Sequence, residues 1–137
     1  MARRSRAREV ALQVLFQDDL NPGLNPAKSD QFLQERLLFD KELVEFAREL
    51  VGGARRNRPE IDQRLSEIAS NWSLARMAAT DRNVLRLGAY EILFSETPSR
   101  VAINEAVELA KRFGTAQSSQ FVNGILDRLL SEPKEAS

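Results

Sequence analysis

Apolar residues recur along this chain at helical spacing. Ala7, Val10, Ala11, Val14 and Leu15 fall at i, i+3, i+4, i+7 and i+8, which gathers them on one face of a helix. The prolines Pro22, Pro26, Pro59, Pro98 and Pro133 all stand at breaks between such segments. The stretch NPGLNPAKS (Asn21–Ser29) is turn chemistry and is predicted as a loop, with a short, weaker helix over Asp30–Phe39 behind it. Leu43, Phe46, Ala47, Leu50, Val51 and Ala54 form the next stripe. Pro59 suits the first turn of a helix carrying Ile61, Leu65, Ile68, Ala69 and Trp72.

Thr80 is the predicted N-cap of a helix over Asp81–Phe94. Val84, Leu85, Leu87, Ala89, Tyr90, Ile92, Leu93 and Phe94 leave that helix little polar surface, so it should be the most enclosed one. Gly88 in its interior costs about 1 kcal/mol relative to alanine, which a close helix–helix approach would explain. Ala102, Ala106, Leu109 and Phe113 outline a helix ended by Gly114 as its C′ residue. Val122, Ile125, Leu126, Leu129 and Leu130 mark the last helix, and the tail SEPKEAS is expected to fray. No run alternates with period two. The expected fold class is all-α, with six to seven helices.

Composition narrows the function. At 137 residues, 42% of them apolar and 29% charged, the chain fits one soluble globular domain over residues 1–137. No apolar run approaches the roughly 20 residues that span a bilayer. The N-terminus has the charge of a signal peptide without its apolar core, because Glu9, Gln13 and Gln17 interrupt the stripe. A cytoplasmic location without membrane attachment is expected. Cysteine and histidine are both absent, which removes disulfides, thiol nucleophiles, the commonest general base and the commonest metal ligand. Neither an enzyme nor a metal or cofactor site is expected.

The net charge is zero, but its distribution is uneven. Residues 1–8 hold four arginines and no acid, leaving 16 basic residues against 20 acidic ones in the remainder. A helix N-terminus carries roughly half a positive charge, so each cation there costs about 0.3–1 kcal/mol. Placing the densest positive charge at that end points to an anionic partner, and guanidinium forks match phosphates. On a helical wheel Arg4 and Arg8 flank one edge of the apolar stripe, and Leu12 and Phe16 continue around that side. Phe16 falls opposite the centre of the stripe, where an aromatic in line with arginines can stack a nucleic-acid base. The bland alternative is a solvated basic terminus with Phe16 packed against another helix, and these residues alone leave both open.

Other constellations carry less. Glu105 and Glu108 share a helix face at i, i+3, but Glu108 is also placed to pair with Lys111 and Arg112. Without further ligands the pairing reading prevails. Arg55, Arg56 and Arg58 before Pro59 are what a helix C-terminus favours. Phe121 sits at the margin of the last stripe, where it is expected to be half exposed and to cover the core. Gly124, which weakens that helix, is expected to permit close packing.

With these stretches assembled, the chain resembles the NusB family of bacterial transcription antitermination factors. The likeness lies in RRSRAREVALQVLF (Arg3–Phe16), DRNVLRLGAYEILF (Asp81–Phe94), VAINEAVELAKRFG (Val101–Gly114) and QFVNGILDRLL (Gln120–Leu130). It implies two packed three-helix units and binding of single-stranded boxA-type RNA from ribosomal RNA leaders. It also implies partnership with NusE, a small-subunit ribosomal protein, within an RNA polymerase antitermination complex that promotes processive ribosomal RNA transcription. The family's arginine-rich RNA motif maps onto Arg3, Arg4, Arg6 and Arg8, and its aromatic residues onto Phe16 and Phe121. The middle helix is the family's partner surface, with Asp81 and Arg82 as candidate contacts. Some family members self-associate, so a homodimer of the free protein is among the implied states.

Two positions depart from the family pattern. Phe16 stands where tyrosine is common, which keeps stacking and removes a phenolic hydrogen bond. Gln117–Gln120 carries no charge, where some relatives have acidic and basic residues. Two rival functions accompany the resemblance. One is a helical adaptor for proteins, with the arginines incidental. The other is a stand-alone relative of the RNA-binding domain of RNA cytosine methyltransferases, since no catalytic domain follows before Ser137.

Overall fold

A computed structural model describes residues 2–69 and 72–131. Among these residues there are seven α-helices, one short 3₁₀ turn and no strand. The helices are α1 (Ala2–Leu20), α2 (Pro26–Arg36), α3 (Lys41–Arg56), α4 (Arg58–Ile68), α5 (Ala79–Phe94), α6 (Ser99–Phe113) and α7 (Ser118–Ser131). The 3₁₀ turn, Leu74–Arg76, lies between α4 and α5. The all-α expectation holds. Nearly all of the tail expected to fray, residues 132–137, lies outside the described residues.

The chain divides into two compact units, residues 1–56 and residues 57–137. In the first unit the predicted stripe of α1 is fully buried, together with Leu33, Leu37, Val44, Ala47, Leu50, Val51 and Ala54. Leu12, read as lying outside that stripe, is buried too, so the apolar band of α1 is wider than its i, i+3, i+4 spacing implies. Two guanidinium forks tie the helices together. Arg55 donates to both carboxylate oxygens of Asp18 at 2.7 and 2.8 Å and to the Ser29 hydroxyl at 3.1 Å. Arg48 does the same to Asp30 at 2.7 and 2.8 Å. Arg55 is therefore more than a charge at a helix end.

The segment around α2 differs from its prediction. The loop is shorter, because Asn25 accepts the Ala27 N–H at 2.9 Å as N-cap and Pro26 opens the helix. The helix ends at Arg36 rather than Phe39. The Leu38 N–H donates to Glu35 O and the Phe39 N–H to Gln34 O, a Schellman closure with Leu38 in the left-handed position usually held by glycine. Leu38 and Phe39 have φ of 55° and 58°.

In the second unit α5 is the enclosed helix, buried on all sides from Asn83 to Glu91. A Cβ built on Gly88 would stand 2.7 Å from Leu126 Cδ1 and 3.2 Å from Ala106 Cβ, so the glycine admits α6 and α7 at close range. Burying α5 all round also buries charge. Arg86, 7% exposed, forks onto Asp62 at 2.8 and 3.0 Å, and Glu91, 1% exposed, accepts from the Thr97 hydroxyl at 2.9 Å. Fully desolvated charges persist only with such partners.

Several expectations change here. Thr80 is not the N-cap, since α5 already begins at Ala79 behind Ala78 and no side chain caps it. Helix α4 stops at Ile68, leaving Trp72 beyond it in the segment that leads to the 3₁₀ turn. Gly114 does end α6, yet its backbone is extended, with φ −99° and ψ −161°. Crowding rather than handedness selects glycine there, because a Cβ would press on Ser118 and on the Ala110 carbonyl. Gly124 is exposed with nothing within 4 Å, so it does not serve packing.

Candidate nucleic-acid interface

The first turns of α1 carry no acidic residue, so the helix offers its own arginines no compensation until Glu9. Tertiary contacts supply more. Arg3 pairs with Asp40, the residue that precedes α3 and accepts the Leu43 N–H at 3.1 Å. That backbone N–H first, and the Arg3 charge after it, hold the Asp40 carboxyl below its ordinary value. Arg6 reaches Glu9 at 3.2 Å. Arg4 and Arg8 converge on one aromatic ring of α3, with guanidinium carbons 4.4 and 5.1 Å from the Phe46 centroid.

These four arginines are not equivalent. Arg3, Arg4 and Arg6 are exposed, whereas Arg8 is only 4% exposed. Solvent reaches the first three, while Arg8 is committed inside the protein. Phe46, read from its spacing as one of the core positions of α3, is half-buried and serves as the platform beneath Arg4 and Arg8. Spacing along α3 cannot reveal this, because the ring's partners come from another helix. Phe16 is half-buried, eight residues beyond Arg8 and so about 12 Å farther along the helix axis.

The remaining predicted residues belong to the second unit. Phe121, in the first turn of α7, is half-buried as expected and stands edge-to-face with Trp72, the centroids 5.5 Å apart and the planes at 72°. Asp81, in the first turn of α5, has its Oδ1 buried without a hydrogen-bond partner among the described residues. Arg82 Nη1 donates to the carbonyls of Leu74 and Met77, each at 2.9 Å, and so pins the segment before α5. Glu108 pairs with Lys111 at 3.3 Å, the structural reading of that carboxylate. Among the described residues no group of acidic side chains is arranged to hold a metal ion, and no helix is long and apolar enough to cross a membrane.

Three exposed arginines, one of them braced on an aromatic ring, are chemistry suited to a nucleic-acid backbone, and known proteins resemble this chain in sequence and fold. The transcription antitermination protein NusB of Pelotomaculum thermopropionicum is 44% identical over 133 residues, which cover 96% of this chain and 92% of that protein. The solved structure of Thermotoga maritima NusB superposes with a TM-score of 0.84 at 42% identity, covering 94% of this chain and 91% of that one. A chain from a solved complex of antitermination factors NusB and NusE with double-stranded RNA superposes with a TM-score of 0.82 at 33% identity, covering 95% of this chain and 97% of that one. A sequence model of the NusB family matches residues 5–131. With its enclosed α5, its arginine-bearing α1 and a match over nearly its whole length, this chain belongs to the NusB family.

Proposed function

We propose that this protein is a transcription antitermination factor, not an enzyme, that binds boxA-type single-stranded RNA of ribosomal RNA leaders together with NusE. It acts in the cytoplasm, as one RNA-binding domain over residues 1–137, within an RNA polymerase antitermination complex. The observation that carries this reading is the exposure of Arg3, Arg4 and Arg6 on the first turns of α1, with Arg4 braced on Phe46. These three arginines neutralise phosphates, and Phe16 and Phe121 stack bases. Arg8 acts through Phe46 as a positioning residue, because a side chain that deeply buried offers a phosphate no access.

Asp81 and the segment that Arg82 pins form the NusE-facing part of the reading. Asp81 is only half-buried, in the first turn of α5. A homodimer of the free protein is the competing state, in exchange with the RNA-bound one. The test is a titration of labelled single-stranded boxA RNA, with and without NusE, against an RNA duplex of the same sequence. Binding of the single strand, weakened by Arg4→Ala, supports the reading. Affinity for NusE with no affinity for RNA would identify a protein adaptor instead.

A further inference from the structure

Trp72 is the chain's single tryptophan, yet it is 58% exposed. An indole normally buries most of its large apolar surface, and where one end stays in water it tends to mark an interface. Among the described residues its aromatic neighbour is Phe121, met edge-to-face at 5.5 Å. That contact engages one part of the indole and leaves the rest to solvent.

The backbone that presents the ring is held at several points. The Trp72 N–H donates to Ala69 O at 2.8 Å, and the Arg76 and Met77 N–H groups donate to Ser73 O at 3.0 and 3.2 Å. Met77 is buried, and Arg82 grips the carbonyls of Leu74 and Met77. Presenting an aromatic on a fixed segment lowers the ordering cost of binding. The local charge indicates the ligand. From Trp72 to Thr80 there is one arginine, the exposed Arg76, and no acidic residue. An exposed indole beside a half-buried phenyl ring, with Arg76 the one charged residue from Trp72 to Thr80, matches a nucleobase with its phosphate.

We infer that Trp72 is a second base-stacking surface, paired with Phe121, for single-stranded RNA; this rests on the RNA-binding reading above. Because the tryptophan is unique, its own emission reports the contact. The experiment titrates the full chain with unlabelled single-stranded boxA RNA while following tryptophan emission. In parallel, the anisotropy of labelled RNA is followed for wild type, Trp72→Phe and Trp72→Ala. Emission should change and saturate at the RNA concentration that saturates anisotropy. Trp72→Ala should weaken binding roughly 5- to 150-fold, and Trp72→Phe should retain most of the affinity. Thermal unfolding of both variants separates lost stacking from lost folding. Anisotropy that reports binding while emission stays flat and Trp72→Ala binds like wild type would overturn the inference and leave RNA binding intact. Emission that responds to NusE alone would reassign Trp72 to a protein contact. No anisotropy change with or without NusE would remove the RNA reading, and this inference with it.

Discussion

The guanidinium of Arg4 lies 4.4 Å from the ring centroid of Phe46, and the buried Arg8 lies over the same ring at 5.1 Å. One aromatic of α3 thus holds two cations of α1 at the end of a helix whose dipole opposes them. Replacing Phe46 with leucine keeps apolar volume and removes the π face. Cation–π contacts at such sites are worth about 0.5–2 kcal/mol, so Phe46→Leu should lower RNA affinity roughly 2- to 30-fold, with a small loss of stability. Phe46→Tyr should restore the affinity. RNA titrations beside thermal melts check both.

Salt dependence reads the number of phosphate contacts. Each contact on a single strand contributes roughly −0.7 to the slope of log affinity against log salt, so three exposed arginines imply a slope near −2. Arg4→Ala should flatten that slope by about 0.7. Titrations at several salt concentrations measure it, and a slope near zero would be incompatible with the arginine assignment.

Acid should loosen the first unit through two carboxylates. The Arg48 fork lowers the Asp30 pKa, and the Leu43 N–H with the Arg3 charge lowers that of Asp40, both from 3.8. A depressed carboxyl binds fewer protons folded than unfolded, so stability is present above the unfolded value and is lost as pH falls below about 4 towards the folded value. The pairs are solvent-exposed and the effect modest. Urea unfolding between pH 6 and 2.5 should show the decline, and the Asp30→Asn, Asp40→Asn double variant should be flatter across that window.

Two glycines should respond oppositely to alanine. Gly88→Ala must push aside Leu126 and meets the Cβ of Ala106, so overpacking should outweigh the gain in helix propensity and cost about 1–2 kcal/mol. Gly124 lies in open space, and Gly124→Ala should stabilise by about 0.5–1 kcal/mol. Chemical denaturation of both variants tests the contrast.

Leu38 occupies the left-handed C′ position of the α2 cap with its side chain in solvent. Left-handed backbone costs a branched residue about 1–2 kcal/mol, and glycine loses part of that gain to unfolded-chain entropy. Leu38→Gly should therefore raise stability by about 0.5–1 kcal/mol, read from the denaturation midpoint.

Helix content, most of the buried faces and the enclosure of α5 up to Glu91 were legible in the sequence, because 3.6-residue periodicity is a local property that the core then uses directly, although Phe94, Phe113 and Leu130 of the predicted stripes are exposed. The close approach at Gly88 was legible for the same reason, as a glycine tolerated inside an otherwise well-formed helix. The ends of elements were less so. Thr80, Trp72 and the Asp30–Phe39 helix were misplaced because capping and a left-handed closure depend on which backbone groups find partners.

The site divides along the same line. The arginines of α1 defy the helix dipole, a conflict visible in a single segment. Which of them face solvent is a tertiary matter. Arg3 meets Asp40 across 37 residues, Arg8 disappears onto Phe46, and Phe121 finds Trp72. Such contacts join segments far apart in the chain, and periodicity within one helix carries no record of them. By itself, then, the sequence determined which faces are apolar and where charge is concentrated. Only the tertiary packing decided which arginines and which aromatic rings reach water.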